Sequence, residues 1–308
     1  MSADDCLPEH LRGAAIARIP TGLSGAEVYR VERDGHAYVL KIATTAEPAD
    51  WRTKLAVLQL AADAGLAPRV VHVDAARRAV VSELVVDRGL MPFLMTPATR
   101  PHAIAALGRT IRRVHELPIP TGAPPAEPHA FLERVAASFT AGYAPEFARA
   151  YVERVLAEPA PSRDEPLVMS HNDLNPTNAI FDGERIVLLD WDTAAPNDRY
   201  HDLASVSLFL RFDDATSLAL VAAYGEPAAA LPDRFTYARR LVAAMCGTIF
   251  LHLARVGGHT GASGDETLDG CAGLADVYAK LRMGELDVAK PAGQWQLGLA
   301  LIKAGAAS

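Results

Sequence analysis

Hydrophobic and polar residues alternate through the first part of the chain with the period of β-strands. The segments VYRVER (28–33) and AYVLKI (37–42) alternate in this way on either side of Asp34-Gly35, a dipeptide that favours a tight hairpin turn. Residues 70–85 form a second alternating pair around Ala75–Arg78. These patterns predict two β-hairpins.

A helical pattern separates the two hairpins. Residues 50–64 place Leu55, Leu58 and Ala62 on one face, and Gly65 follows just past the end, where glycine commonly terminates a helix. The first 85 residues therefore predict a small, mostly β unit with one inserted helix.

After about residue 100 the spacing becomes helical. Apolar residues recur every three or four positions until Pro118, at Ile104, Leu107, Ile111 and Val114, which is typical of an amphipathic helix. Residues 118–128 are rich in proline and predict a surface loop. Helical patterns resume at 131–157 and dominate from residue 202 to the C-terminus. The second half is therefore expected to be mainly α-helical.

Between these helical regions lies the only β-like stretch expected in the second half. LVMS (167–170) predicts a short buried strand, and AIF (179–181) with RIVLLD (185–190) predicts a hairpin around Asp182-Gly183. A short hairpin brings its two ends together, so we expect Asn178 and Asp190 to meet at one edge. Asp173 lies on the loop that enters this hairpin.

The polar residues of this stretch have the chemistry of phosphoryl transfer. One amide oxygen from Asn178 and one carboxylate from Asp190 make a sparse oxygen site, which suits Mg²⁺ with water and phosphate oxygens completing its shell. Asp173, a few residues upstream, is placed to take a proton from a hydroxyl nucleophile. Asp-x4-Asn followed by an aspartate at the end of the next strand is the arrangement used by kinases.

Charge and composition limit the classes of molecule that the protein is expected to bind and the compartment in which it is expected to lie. The chain has 308 residues and a formal net charge of −7, which disfavours nucleic acid and anionic membranes and favours a neutral or cationic small molecule. Its three cysteines are far apart and form no metal-binding cluster, as expected in a reducing compartment. The acidic start lacks the features of a secretory signal, and the apolar segment 241–253 is too short to span a bilayer. We therefore expect a cytoplasmic protein.

Three blocks in the second half carry a family resemblance. HNDLNPTN (171–178), LLDWD (188–192) and NDRYHDLA (197–204) resemble, in order and spacing, the aminoglycoside phosphotransferase/choline kinase superfamily, and most closely its choline-kinase-like bacterial branch. The resemblance implies an α+β, protein-kinase-like two-lobed fold. Its small N-terminal lobe, an antiparallel β-sheet with one helix, would span residues 1–85. A larger, mainly α-helical C-terminal lobe would span 86–308, with the hinge at about 82–89.

The resemblance also implies a role for each residue of these blocks. Asp173 would be the catalytic base, and Asn178 and Asp190 would hold Mg²⁺. His171 and Asp202 would orient the catalytic loop as structural supports. A His-x-Asp metallohydrolase is the competing interpretation, but the chain offers no further His/Asp cluster at ligand spacing.

Two features of the N-terminal part are expected to hold the phosphates of ATP. The turn TGLSGAEVYR (21–30) resembles one found in aminoglycoside-kinase-like proteins, and in it Ser24 and Gly25 would offer backbone N–H groups. Lys41 occupies the strand position at which kinases keep the lysine that contacts the α- and β-phosphates.

The helix after Lys41 departs from the kinase pattern. Kinases carry there a glutamate that pairs with the lysine, whereas this chain has Lys54 at about that position. Asp50 or Glu47 could substitute for it. Further along, the hinge is expected to meet the purine edge through backbone groups near Glu83 and Val85.

Residues after the predicted metal aspartate are expected to face the acceptor. These are Asp192, Asp198 and Tyr200, with Asn197, Tyr237 and Trp295 as further candidates. Carboxylates and aromatic rings together suit an ammonium-bearing alcohol. Two functions follow. The first is an ATP- and Mg²⁺-dependent kinase acting on a small-molecule hydroxyl of a choline- or ethanolamine-like compound, an aminoglycoside or another metabolite. The second is a catalytically idle kinase-like module that binds nucleotide or metabolite.

Overall fold

A computed structural model describes residues 2–19, 26–43, 48–163, 165–264 and 266–307 of the chain. The chain divides into two compact units. The first contains Met1–Pro124, Val168–Pro196 and Ala223–Gly225, and the second contains Pro125–Leu167, Asn197–Ala222 and Glu226–Ser308. The lobe boundary expected at residues 82–89 stays a prediction.

The first unit begins with a five-stranded antiparallel sheet in the order β1-β2-β3-β5-β4. Its strands are β1 (Ala15–Ile19), β2 (Glu27–Arg33), β3 (His36–Ile42), β4 (Val70–Asp74) and β5 (Ala79–Glu83). The two predicted hairpins are therefore confirmed. One face of the sheet packs against the short 3₁₀ turns near the N-terminus, where Leu11, Val31 and Leu40 are buried.

The first hairpin has the turn that its sequence predicts. Arg33 pairs with His36, so the loop contains only Asp34 and Gly35. Both have positive φ, 51° and 78°, as a type I′ turn requires. This turn fixes the register of β3 and thereby the position of Lys41, which pairs with Val28 on one side and Val80 on the other.

Helix α1 (Pro48–Asp63) lies between the hairpins, as predicted. Its buried residues are Trp51, Val57 and Ala61, whereas Leu55, Leu58 and Ala62, which the spacing places on one face, are half-buried. Leucine and alanine occupy positions all round this helix, so spacing alone could not select the residues that become buried.

Two helices and four short strands complete the first unit. They are α2 (Leu90–Met95), α3 (Arg100–His115), β6 (Val168–Ser170), β7 (Ala179–Phe181), β8 (Ile186–Leu188) and β9 (Ala195–Asn197), whose last residue belongs to the second unit. β7 pairs with β8 and β6 with β9. The β7–β8 hairpin is confirmed, while α2 and β9 were not predicted. The second half thus holds one strand beyond its expected β-like stretch.

The second unit is built from helices. They are α4 (Pro128–Ala137), α5 (Glu146–Ala157), α6 (Arg199–Phe209), α7 (Asp214–Tyr224), α8 (Asp233–Val256), α9 (Leu274–Met283) and α10 (Pro291–Ala306). The last two residues of α7 belong to the first unit. α6 starts three residues before the expected position. Residues 241–253 lie inside α8, where Leu241, Val242 and Leu251 are buried. Within the described ranges, no helix combines the length and apolar character needed to cross a membrane.

Candidate active site

Asp173 is held by two amide side chains on the loop after β6. Asn178 Nδ2 donates to Asp173 Oδ2 at 2.7 Å and to the Asp173 carbonyl at 3.0 Å. Asn175 Nδ2 donates to Asp173 Oδ1 at 2.9 Å. The carboxylate of Asp173 therefore has a fixed orientation, with its partners two and five residues further along the same loop.

The surroundings of Asp173 raise the pKa of its carboxyl group. Burial raises the pKa of Asp173 and the nearby charge of Asp190 raises it further, while the bonds from Asn175 and Asn178 and the proximity of His171 work in the opposite direction without reversing the shift. A raised pKa makes the carboxylate a better proton acceptor once it is ionised.

The β7–β8 hairpin joins Asn178 to the segment of Asp190. The backbone N–H of Leu189 donates to the Asn178 carbonyl at 2.8 Å, so the two ends of the hairpin lie side by side, as its length predicts. Asp190 follows directly, with φ 59° and ψ 68°. This left-handed conformation is unusual for a residue other than glycine, asparagine or aspartate.

Lys41 reaches the same segment. Its Nζ donates to Asp190 Oδ1 and to Asp192 Oδ2, each at 2.7 Å. Burial alone would lower the pKa of Lys41, but the two carboxylates outweigh it and the pKa is raised. The lysine is therefore held as a cation beside the predicted metal aspartate.

The carboxylate partners of Lys41 come from this segment and not from α1. Asp50 is exposed, and no ion pair links it to Lys41 in the described part of the chain. Glu47, the other expected substitute, lies outside the described residues. The carboxylates that pair with Lys41 are those of Asp190 and Asp192, which lie 149 and 151 positions further along the chain. The spacing of residues along α1 could not indicate such distant partners.

The other expected nucleotide contacts are spread along the first unit. Ser24 and Gly25 lie outside the described residues. Glu83 ends β5, and its side chain pairs with Arg69. Val85 lies in the following loop, where no backbone hydrogen bond from the described residues engages its N–H or C=O.

Among the predicted residues that belong to the second unit, three lie in α6 or at its N-terminal cap. Asp198 caps α6 by accepting from Tyr200 N at 2.9 Å and pairs with Arg234. Tyr200 donates its hydroxyl to Glu226, and burial, together with that carboxylate, raises the pKa of Tyr200. Asp202 is fully buried within α6. Asp198 and Tyr200 therefore already have protein partners, and their contact with an acceptor stays a prediction.

The side chains of Asn172 and Thr193 tie the loop that carries Asp173 to the segment after Asp190. Asn172 Nδ2 donates to the carbonyls of Thr193 at 3.0 Å and Ala195 at 3.2 Å. Thr193 Oγ1 donates back to the His171 carbonyl at 3.0 Å. Asn172 has φ 64°, so the asparagine after His171 serves both the backbone turn and the tie.

His171 itself is fully buried. Its Nε2 lies 2.9 Å from the Leu189 carbonyl, and its ring lies 4.8 Å from the ring of Trp191. These contacts fix the start of the loop that carries Asp173 against the strand that leads to Asp190.

The side-chain oxygen atoms of Asn178 and Asp190 are of the chemical type that a hard cation binds. Asn178 turns its NH₂ group toward Asp173, which leaves Oδ1 facing away, and Asp190 uses only Oδ1 for Lys41. Amide and carboxylate oxygens are the donors that Mg²⁺ prefers. The described residues contain no cluster of three or more His, Cys, Asp or Glu that could hold a metal by themselves.

Comparison with solved structures identifies the fold. A choline/ethanolamine kinase family protein from Mesorhizobium loti is 21% identical, with 96% of this chain and 92% of that chain covered and a TM-score of 0.58. An aminoglycoside-3′-phosphotransferase of type VIII is 26% identical, with 78% and 97% covered and a TM-score of 0.57. Spectinomycin phosphotransferase APH(9)-Ia, solved with ADP and spectinomycin, is 14% identical, with 80% and 85% covered and a TM-score of 0.58. The predicted kinase-like α+β fold is confirmed.

Comparison by sequence identifies the family. No curated protein matches the chain. A family model described as the phosphotransferase enzyme family, APH, matches residues 15–242. This match includes the sheet that carries Lys41 and the whole segment from Asp173 to Asp192, and it confirms the prediction of a phosphotransferase. The chain belongs to the phosphotransferase enzyme family.

Proposed function

We propose that the protein transfers the γ-phosphate of ATP, with Mg²⁺, to a hydroxyl group of a small amino alcohol or an aminoglycoside-like molecule. One observation carries this proposal. Asp173 is hydrogen-bonded to Asn178, and Lys41 is hydrogen-bonded to Asp190. The four side chains that phosphoryl transfer requires therefore form two hydrogen-bonded pairs, and both pairs lie within one compact unit.

Each side chain has a task in this reaction. Asp173 accepts the proton of the acceptor hydroxyl. At the same time the hydroxyl oxygen forms a bond to the γ-phosphorus of ATP, and the bond between that phosphorus and the bridging oxygen breaks, which releases ADP. Lys41 contacts the α- and β-phosphates and holds them in line. Asn178 and Asp190 would hold Mg²⁺, which would supply positive charge against that of the phosphates.

An ATP donor is supported by the family and by the hinge. Spectinomycin phosphotransferase was solved with ADP. In the present chain, Val85 offers backbone groups that no described residue engages, and a purine edge needs such a donor and acceptor.

The negative net charge of the chain supports a cationic or neutral molecule as the acceptor of the phosphate. The chain is acidic, with a net charge of −7, which attracts an amine. Relatives of its fold are named for choline, ethanolamine and aminoglycoside substrates. An amino alcohol combines the ammonium group with the hydroxyl that the reaction needs.

A thermal-shift experiment tests nucleotide and metal binding together. ADP should raise the melting temperature more with Mg²⁺ than with EDTA, because a ligand bound to the native state stabilises it. Asp190→Ala should abolish the Mg²⁺-dependent part. An unchanged Mg²⁺-dependent shift in this variant would show that Asp190 does not hold the metal.

A second variant separates catalysis from binding. Asp173→Asn keeps the size of the side chain and should retain the ADP-induced shift, but it should lower turnover by about 100-fold to 10,000-fold because the base is lost. Equal turnover would remove Asp173 as the base.

The acceptor is found by screening hydroxylated amines and aminoglycosides for stimulation of ADP release from ATP. Stimulation by a compound, followed by detection of its phosphorylated form, identifies the substrate. A wild-type protein that binds Mg²⁺-ADP but phosphorylates no compound and does not hydrolyse ATP would instead be the idle binding module.

A further inference from the structure

Lys41 has two carboxylate partners, Asp190 and Asp192, and the proposed cation would compete with the lysine for Asp190. Asp190 shares its carboxylate between Lys41 and the proposed cation, since Oδ1 is used by the lysine. Asp192 gives Oδ2 to Lys41 at 2.7 Å. Asp192 is therefore the carboxylate that remains available to Lys41 when Asp190 turns to a metal.

The usual partner of such a lysine is not on α1. Kinases orient this lysine with a glutamate from the helix that follows it, whereas here Lys54 stands near that position and Asp50 is exposed. The 3₁₀ turn Trp191–Thr193, which carries Asp192, packs against α1. The turn thus brings a carboxylate to the place from which the helix would otherwise supply one.

The local backbone makes this placement possible. Asp190 adopts the left-handed conformation at the N-terminal end of the turn, which reverses the chain and lets the side chains of Asp190 and Asp192 converge on one ammonium group. Trp191 between them is buried and bonds through Nε1 to the Leu188 carbonyl at 3.0 Å. The buried ring and the tie through Thr193 hold the turn at both sides of Asp192.

We propose that Asp192 is a positioning residue for Lys41 and replaces the helix glutamate of other kinases. This role rests on the proposed function, because it assigns Lys41 to the phosphates of a nucleotide. An ammonium group has three N–H donors. Two face Asp190 and Asp192, and the third, which no described residue engages, can face a phosphate oxygen. A lysine side chain is flexible, so a second anchor keeps that third donor aimed.

The test compares the affinity for ADP in two backgrounds, measured by calorimetry with saturating Mg²⁺ and again in EDTA. In the wild-type background, Asp192→Asn should weaken ADP binding by about fivefold to tenfold, because the lysine loses its orientation. In the Lys41→Met background, the same substitution should cause no weakening, because Asp192 acts through the lysine. Asp192→Glu should restore part of the affinity.

Three outcomes would overturn the proposal. Equal weakening in both backgrounds would mean that Asp192 acts on the nucleotide or metal directly. Tighter binding in both would mean that Asp192 only repels the phosphates. Weakening by Asp50→Asn in place of Asp192→Asn would return the role to the helix.

The controls separate this proposal from the function on which it rests. Asp63→Asn removes an exposed carboxylate at the end of α1 and should leave ADP affinity unchanged. A wild-type protein without affinity for ADP in either buffer would refute the proposed function itself. Wild-type affinity that Asp192→Asn leaves unchanged would refute only the role of Asp192.

Discussion

Replacing Asn172 should loosen the catalytic loop by an amount that the structure allows us to work out. The side chain donates to the carbonyls of Thr193 at 3.0 Å and Ala195 at 3.2 Å. A hydrogen bond contributes a net 0.5–1.5 kcal/mol, and an NH₂ group has two donors, so losing both costs about 1–3 kcal/mol. The backbone adds a second term, because φ is 64° at this residue.

The backbone term separates two substitutions. Alanine in the left-handed region costs about 1–2 kcal/mol, whereas glycine adopts it freely. Asn172→Ala should therefore lower the free energy of unfolding by about 2–5 kcal/mol, the sum of both terms. Asn172→Gly should lower it by about 1 kcal/mol less than alanine does, because it loses the hydrogen bonds but avoids most of the strain.

Urea unfolding followed by tryptophan fluorescence measures the difference, since Trp51 and Trp191 are buried in the same compact unit as Asn172. Both variants should also reduce turnover, because Asp173 is the next residue in the loop. A glycine variant as unstable as the alanine variant would refute the assigned strain. An alanine variant with wild-type stability would refute the tie itself.

Two further substitutions test the packing and ties around the site. Gly108→Ala should lower the free energy of unfolding by about 1–3 kcal/mol, because the added Cβ would lie 2.7–2.8 Å from atoms of residues 223–224, some of them backbone. This clash should outweigh the preference of alanine for helices. Denaturant unfolding measures the change, and a gain in stability would contradict the close contact. Thr193→Val keeps the shape of the side chain but loses the hydroxyl bond to the His171 carbonyl, so it should lower stability by about 1 kcal/mol and reduce turnover; unchanged values of both would show that this bond is not needed.

The sequence predicts the local elements well where a short motif fixes them. Asp34-Gly35 predicts the first hairpin because the two residues tolerate positive φ, and the structure has them at 51° and 78°. The length of the β7–β8 hairpin predicts that the neighbours of Asn178 and Asp190 meet, as the bond from Leu189 to Asn178 shows. In both cases the relevant residues are within about a dozen positions of one another.

Prediction is weaker where a face or a partner must be chosen. The spacing of α1 could not show which residues become buried, because its apolar residues surround the helix, and packing selected Trp51, Val57 and Ala61. Asp198 matches a position expected to face the acceptor, but only the folded unit brings Arg234 against it. The choice depends on residues that are far away in the chain.

The sequence alone predicted the arrangement of Asp173, Asn178 and Asp190, because a loop and a hairpin of fixed length bring the three residues together through local geometry. The partner of Lys41 was not predicted. Its bonds to Asp190 and Asp192 join β3 to a turn about 150 residues downstream, and they form only when the sheet, α1 and that turn pack around them. Local steric preferences set the first kind of arrangement, whereas burial and charge pairing across the folded unit set the second.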